Sequence, residues 1–253
     1  MNVEFGLTPD GQWDIDVAGL VAAAGDAGFS AVGMPGRRAD AACAAALAAG
    51  GLRCHELLAL VLSADEEATL RRARQLAEAA ALVNAPWVLT TFAVPLNPGT
   101  RPLIERCAAM FAEAGAGMAV EFSPLGAVTS IAAGLEVVKA AGVERAGVVI
   151  DSWHFFRGDS SWEQLERVPL DRIAYVQFND ALPPVSEDGM HETMHRRAMP
   201  GDGIFELGRF ASTLLERGWA GVVSVEVLSA ELRELPVPDF ARLAYQTTAR
   251  YWF

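Results

Sequence analysis

Eight short apolar runs recur along this chain, with amphipathic stretches of helical period between them. The runs are VEFGL (3–7), SAVGM (30–34), a segment within LRCHELLALVL (52–62), WVLTTFA (87–93), MAVEF (118–122), GVVID (147–151), IAYVQF (173–178) and VVSVEV (222–227). The helical patterns include VAGLVAAAGDAG, DEEATLRRARQLAEAAALV, RPLIERCAAMFAEAG and ELGRFASTLLERG. A strand that returns to its sheet through a helix runs parallel to its predecessor, and helices then cover the outside. Eight such units predict an α/β fold, a single (β/α)8 TIM barrel. An open doubly wound sheet is the alternative, but it carries a glycine-rich phosphate turn after its first strand. Here that strand runs into TPDGQWD, and no linker or composition break divides the chain, so one domain over 1–253 is expected. Ser63 with Glu66 and Ser161 with Gln164 read as capping boxes, and Gly28, Gly50, Gly115 and Gly218 as helix C-caps.

Composition narrows the function classes. Lys and Arg number 20 against 32 Asp and Glu, a formal charge of −12, which argues against a nucleic-acid or anionic-membrane surface. Three widely spaced cysteines, Cys43, Cys54 and Cys107, make neither a disulfide framework nor a metal knuckle. The N-terminus shows no basic segment followed by an apolar one, and no apolar run approaches about 18 residues. A reduced cytoplasm is the expected compartment.

In a TIM barrel the active site lies at the C-terminal ends of the strands. Strand five ends in Glu121 and strand six in Asp151; strand seven carries Gln177, then Asn179 and Asp180; strand eight carries Glu226. A buried carboxylate costs several kcal/mol unless it is paired or metal-bound. Three carboxylates and an amide oxygen on one rim make an all-oxygen site for a hard or borderline cation such as Mn²⁺ or Mg²⁺, with Co²⁺ or Zn²⁺ as alternatives. His154, three residues beyond Asp151, reads as a substrate-facing or proton-transferring group, against the alternative of packing with Trp153 and Phe155. Arg196 and Arg197 precede a rigid Pro200-Gly201-Asp202-Gly203 turn, where an arginine can clamp substrate oxygens.

The ordered set Glu121, Asp151-x-x-His154, Gln177, Arg197-x-x-Pro200-Gly201-x-Gly203 and Glu226 resembles the xylose isomerase-like TIM-barrel superfamily, in its sugar phosphate isomerase/epimerase branch. The resemblance covers roughly 118–230 by motif and the first half only by its strand–helix rhythm. It implies one divalent metal held by Glu121, Asp151, Gln177 and Glu226, substrate contacts from His154 and Arg197, and acid/base roles for Glu121 and Glu226 with His154 beside them. The implied activity is isomerisation or epimerisation of a sugar or related polyhydroxy carbonyl compound, by proton transfer through a metal-stabilised enediolate. The implied partners are that small molecule and copies of the chain in a homodimer or homotetramer. Many sugar epimerases carry histidine where this chain has Gln177; glutamine there, with DSWHFFRGD and HRRAMPGDG, is more similar to bacterial 3-dehydroshikimate dehydratases, so a dehydratase is the alternative.

A Schiff-base aldolase needs a lysine at a strand end, and the only lysine, Lys139, falls in a helical pattern. Endonucleases of the superfamily use many histidines and grip phosphate, which four histidines and this charge do not support. The last strand runs into LSAELRELP without glycine, which disfavours a phosphorylated substrate. A barrel that only binds ligand remains the non-enzymatic alternative. Trp13 and Phe92, at loop starts, are read as packing rather than as stacking platforms for a ring.

Overall fold

Strands β1 (Glu4–Leu7), β2 (Ala31–Pro35), β3 (Arg53–Leu62), β4 (Trp87–Phe92), β5 (Gly117–Glu121), β6 (Ala146–Asp151) and β7 (Ile173–Phe178) each fall on one of the eight apolar runs. After them come two short strands, β8 (Asp180–Ala181) and β9 (Arg197–Ala198), and then β10 (Val222–Val225). In this computed structural model the long strands close a parallel barrel in the order β1-β10-β7-β6-β5-β4-β3-β2, while β8 and β9 form a separate antiparallel ribbon. The structure describes residues 3–253; Met1 and Asn2, part of the expected 1–253 domain, lie outside the described residues.

Helices α1 (Val17–Ala27), α2 (Ala41–Gly50), α3 (Glu66–Val83), α4 (Arg101–Glu113) and α5 (Ile131–Ala141) cover the first half. The second half has α6 (Ser152–Arg157), α7 (Trp162–Arg167), α8 (Gly189–His195), α9 (Leu207–Leu215) and α10 (Val237–Trp252). Lys139 sits in α5, away from any strand end. The caps shift by a residue or two from their expected places. Asp65, not Ser63, caps α3 by accepting from the Ala68 amide at 2.9 Å. A carboxylate nearer the first turn wins that position, and it also suits the positive end of the helix dipole. Ser161 does accept from the Gln164 amide, but the Gln164 carboxamide accepts from Ala132 instead of returning the bond. Gly28 caps α1, whereas Gly51 rather than Gly50 caps α2; Gly115 and Gly218 stand in left-handed backbone one and two residues past the caps of α4 and α9.

The barrel interior explains how the site is placed. Leu89, Ala119, Val149 and Tyr175 meet inside the barrel. Side chains on a strand repeat every two residues, so the next inward positions toward the C-terminal rim are Thr91, Glu121, Asp151 and Gln177. On β10 the same step leads from Ser224 to Glu226.

Beside this layer lies a buried polar cluster that the sequence reading did not anticipate. The register between β2 and β3 slips by one residue at Val32/Gly33, and His55 and Glu56 both reach into the barrel beside Gly6 and Gly33. A Cβ at Gly6 would stand 2.9 Å from the His55 ring, and one at Gly33 would stand 2.5 Å from Thr8 Oγ1 and 2.9 Å from Glu56 Oε1. Glycine there makes room for the polar pair. Thr8 and Tyr175 donate hydroxyl hydrogen bonds to Glu56, His55 Nε2 stands 3.2 Å from it, and Thr8 Oγ1 is 2.6 Å from Ser224 Oγ. Burial pushes the Glu56 carboxyl up, but His55 and the two hydroxyls hold it below its ordinary value.

Candidate metal centre

Asp151 ends β6 and caps α6, its Oδ1 accepting from the His154 amide at 3.1 Å. That bond turns the chain sharply at the strand end, so His154 comes back over the rim one turn later. Its Nε2 then stands 3.4 Å from Glu121 Oε1. Donor atoms of Glu121, Asp151 and His154 all lie within 4.8 Å of one another, and all three residues are buried. Ser152 clamps the neighbouring strand end, donating its hydroxyl to the Asn179 carbonyl at 2.7 Å and accepting from the Asn179 amide at 2.9 Å. Asp151 and Gln177 are register partners on β6 and β7, and Ser224 pairs with Gln177 on the other side.

The β8–β9 ribbon delivers Arg197. Asp180 gathers the turn after it, accepting from the amides of Ala181 (2.9 Å), Phe205 (3.0 Å) and Gly201 (3.1 Å). Gly201 takes a φ of 96°, and a Cβ at Gly203 would fall 2.3 Å from both Ala181 O and Asp180 Oδ1. Both turn glycines are therefore required by geometry. Arg197 Nη1 donates to Asp151 Oδ2 and to Glu226 Oε2, each at 3.0 Å. Its Nε and Nη2 donate to the Thr193 carbonyl (3.2 Å) and hydroxyl (3.0 Å), and the guanidinium lies over Trp153. Four of the five guanidinium N–H donors are thus engaged within the protein. Arg196 turns away, to Glu192 and the Pro183 carbonyl.

One guanidinium faces two carboxylates, and they respond in opposite directions. Burial alone would raise Asp151, but the charges of Arg197 and His154 and the His154 amide hold it below its ordinary value. Glu226 is pushed well above its ordinary value by burial and by the charges of Asp151, Glu121 and Glu56, which outweigh Arg197. With all three carboxyls ionised, as a bound cation would favour, Glu121, Asp151 and Glu226 against Arg197 would leave −3 + 1 = −2.

Gln177 supplies the sharper test of whether such an ion fits. It is fully buried, and neither its carbonyl oxygen nor its amide nitrogen has a hydrogen-bond partner. Buried amides are almost always satisfied, and leaving one unpaired costs about 1–3 kcal/mol. Of the expected ligands, Glu121 and Asp151 stand together with His154; Glu226 is not in that group and is joined to Asp151 through Arg197 Nη1, while Gln177, the register partner of Asp151, offers an unpartnered amide, and such donors suit a divalent cation. A cavity of about 600 Å³ is faced by Glu121, His154, Arg197 and Glu226; Asp151 and Gln177, both fully buried, are not among its lining residues. Phe92 lines that cavity, while Trp13 packs edge-on against Phe240 and donates to the Arg233 carbonyl. Sequence reasoning did not single out Ser152, Thr193 or the Thr8–His55–Glu56 cluster. Only the last had a local signal, two adjacent polar residues inside an apolar run.

The chain is 31% identical over 137 residues to the inosose isomerase of Halalkalibacterium halodurans, a match covering 53% of this chain and 47% of that protein. It is 30% identical over 101 residues to the 3-dehydroshikimate dehydratase of Pseudomonas aeruginosa, covering 40% of this chain and 16% of that protein. The matched stretch thus spans less than half the length of either relative. The fold superposes on the IOLI protein, solved with a bound zinc atom, with a TM-score of 0.83 at 19% identity over 99% of both chains. Residues 21–246 match the family model of the xylose isomerase-like TIM barrel, and the chain belongs to that family.

Proposed function

We propose that this protein is a divalent-metal-dependent isomerase or epimerase of a sugar or related polyhydroxy carbonyl compound. The observation that carries the proposal is that Glu121, Asp151, Gln177 and Glu226 sit at the ends of four neighbouring strands, the first two grouped with His154 and Gln177 bearing an amide without a partner. We assign them as ligands and Mn²⁺ or Mg²⁺ as the ion, on the hardness of the donors. Once bound, the ion supplies Lewis acidity, which polarises a carbonyl and acidifies the C–H beside it. Glu121 and Glu226 both face the cavity and serve as the carboxyls that take and return that proton. His154, close to Glu121, steadies that carboxylate and meets substrate hydroxyls. Arg197 keeps Asp151 ionised and offers its remaining N–H to substrate. Three buried free cysteines suit a reducing cytoplasm, and no helix among the described residues is long and apolar enough to cross a membrane. A homodimer or homotetramer is the assembly we assign.

Gln177, together with the similarity to 3-dehydroshikimate dehydratase, favours a second reading in which the same proton abstraction is followed by loss of a β-hydroxyl. The test is incubation in D₂O with Mn²⁺ or Mg²⁺ and a panel of inososes, keto-sugars and 3-dehydroshikimate. The proposal expects deuterium in the carbon skeleton with no loss of water. A new ultraviolet chromophore from 3-dehydroshikimate alone selects the dehydratase. No exchange anywhere, with no metal bound by elemental analysis, defeats both.

A further inference from the structure

We infer that the substrate carries an apolar substituent beside its oxygenated, carbonyl-bearing end, and that the outer part of the active-site cavity is its binding subsite. This deepens the proton-transfer reading and rests on it.

The cavity is chemically one-sided. Its ionisable groups are Glu121, His154, Arg197 and Glu226; much of the remaining lining is apolar, including Val61 from β3, Phe92 from β4, Leu125 and Val128 from the segment between β5 and α5, and Met190 and Met194 from α8. Three neutral hydroxyls reach it, those of Thr91, Ser123 and Thr193. Two are already used as acceptors: Ser123 Oγ by the Leu125 amide at 3.2 Å, and Thr193 Oγ1 by Arg197 at 3.0 Å.

A bare polyol has a hydroxyl on nearly every carbon, and each one moved out of water needs a partner. Beyond the charged cluster the side chains of this lining supply only those three hydroxyls, two of them already partly engaged, too few for a polyol with a hydroxyl on nearly every carbon. A phosphate or a second carboxylate fares no better, because the only permanent cation in the lining is Arg197, mostly spent on protein acceptors, and the one imidazole, His154, stands beside Glu121. An alkyl or aryl group meets complementary surface instead. Val61, Leu125 and Met190 are 55%, 44% and 56% exposed, and they are continuous with the cavity that reaches the carboxylates. The volume of about 600 Å³ lies in the range that encloses drug-sized ligands, about 300–1,000 Å³. Two methionines give that wall an adaptable surface suited to a ring.

The test uses the Mn²⁺-loaded full-length chain and two matched pairs: an inosose with its mono-O-benzyl ether, and D-fructose with 6-O-benzyl-D-fructose. Deuterium exchange should show kcat/KM higher for each benzyl compound by at least about tenfold, the low end of what one methylene gains in a fitted apolar pocket. Val61→Asp and Leu125→Asp should collapse that ratio. Equal or faster exchange of the unsubstituted partners, or a ratio unchanged in both variants, overturns the inference. Calorimetric titration with inert benzyl and methyl ethers of inositol separates this result from the reaction itself. If no compound exchanges deuterium, proton transfer fails, yet tighter binding of the benzyl ether still supports the subsite. Equal binding of the two ethers overturns it. So does a concentration-dependent dimer that Leu125→Asp disperses while binding stays equal, which would assign the apolar mouth to a second copy of the chain.

Discussion

Replacing Gln177 with leucine should stabilise the metal-free protein and remove most of its response to metal. The side chain is fully buried and both amide groups are unpaired, so the wild type carries an unsatisfied-group penalty of about 1–3 kcal/mol. Leucine is close in shape and has nothing to satisfy, so Gln177→Leu recovers most of that penalty. For a chain of 253 residues, 1 kcal/mol moves Tm by about 2–4 °C, giving a rise of about 2–12 °C in EDTA. With Mn²⁺ at a hundredfold excess over Kd the wild type gains about 2.7 kcal/mol, while the variant, short of a ligand, gains much less. The order of stability should therefore narrow or reverse on adding metal. Calorimetric melts of both proteins in EDTA and in Mn²⁺ measure all four values. A variant that melts below the wild type in EDTA shows that the amide is satisfied; an equal Mn²⁺ shift in both shows that it is no ligand.

Glu226→Gln keeps size and loses basicity, so activity should fall by about 10²–10⁴-fold with the melting curve retained; near-normal turnover removes Glu226 from the mechanism. Arg197→Ala leaves the buried Asp151 carboxylate without its charge partner, which should cost about 3–5 kcal/mol in EDTA and be partly rescued by Mn²⁺; an unchanged Tm would show that the guanidinium is dispensable there. Glu56 titrates below its ordinary value of 4.5 in the folded state, so its contribution is complete above that pH and lost as pH falls through the folded value. Urea unfolding of wild type and Glu56→Gln should accordingly show a gap at pH 7 that shrinks below about pH 4.5, and a gap constant with pH would refute the assignment.

The parts of the molecule that were readable in advance are those whose signal is local. GVVID is apolar on both faces because the barrel interior lies on one side of β6 and helices on the other, and its carboxylate falls at the rim by simple alternation. The same parity carries Glu121 and Gln177. The unread parts depend on partners distant in sequence. His55 and Glu56 share the interior only because β3 slips its register against β2, and no period within RCHELLALVL encodes that. β8 and β9 are two residues each, too short for any pattern, and it is Asp180 that organises them. Helix α10 carries a local signal of its own. Pro238 stands in its first turn, and Phe240, Ala244, Thr248 and Trp252 repeat every four residues on its buried face.

The two carboxyls that flank Arg197 bear most directly on the chemistry. Both accept from the same Nη1 at the same distance, yet Asp151 is held low and Glu226 is driven high. The difference comes from their other neighbours: Asp151 also accepts from the backbone amide of His154, whereas Glu226 faces further negative charge from Asp151, Glu121 and Glu56. Where an enzyme must both fix a cation and move a proton, it separates the affinities of adjacent carboxyls for protons in this way. Asp151 has the environment of a permanent anion, anchored at a helix start. Glu226 faces the cavity and, without a cation, holds its proton more tightly than an ordinary glutamate; a bound cation would act against that shift. The buried Glu56 cluster, set in place by two glycines and a register slip, adds its charge to the same bias, so the barrel interior takes part in the electrostatics of the rim.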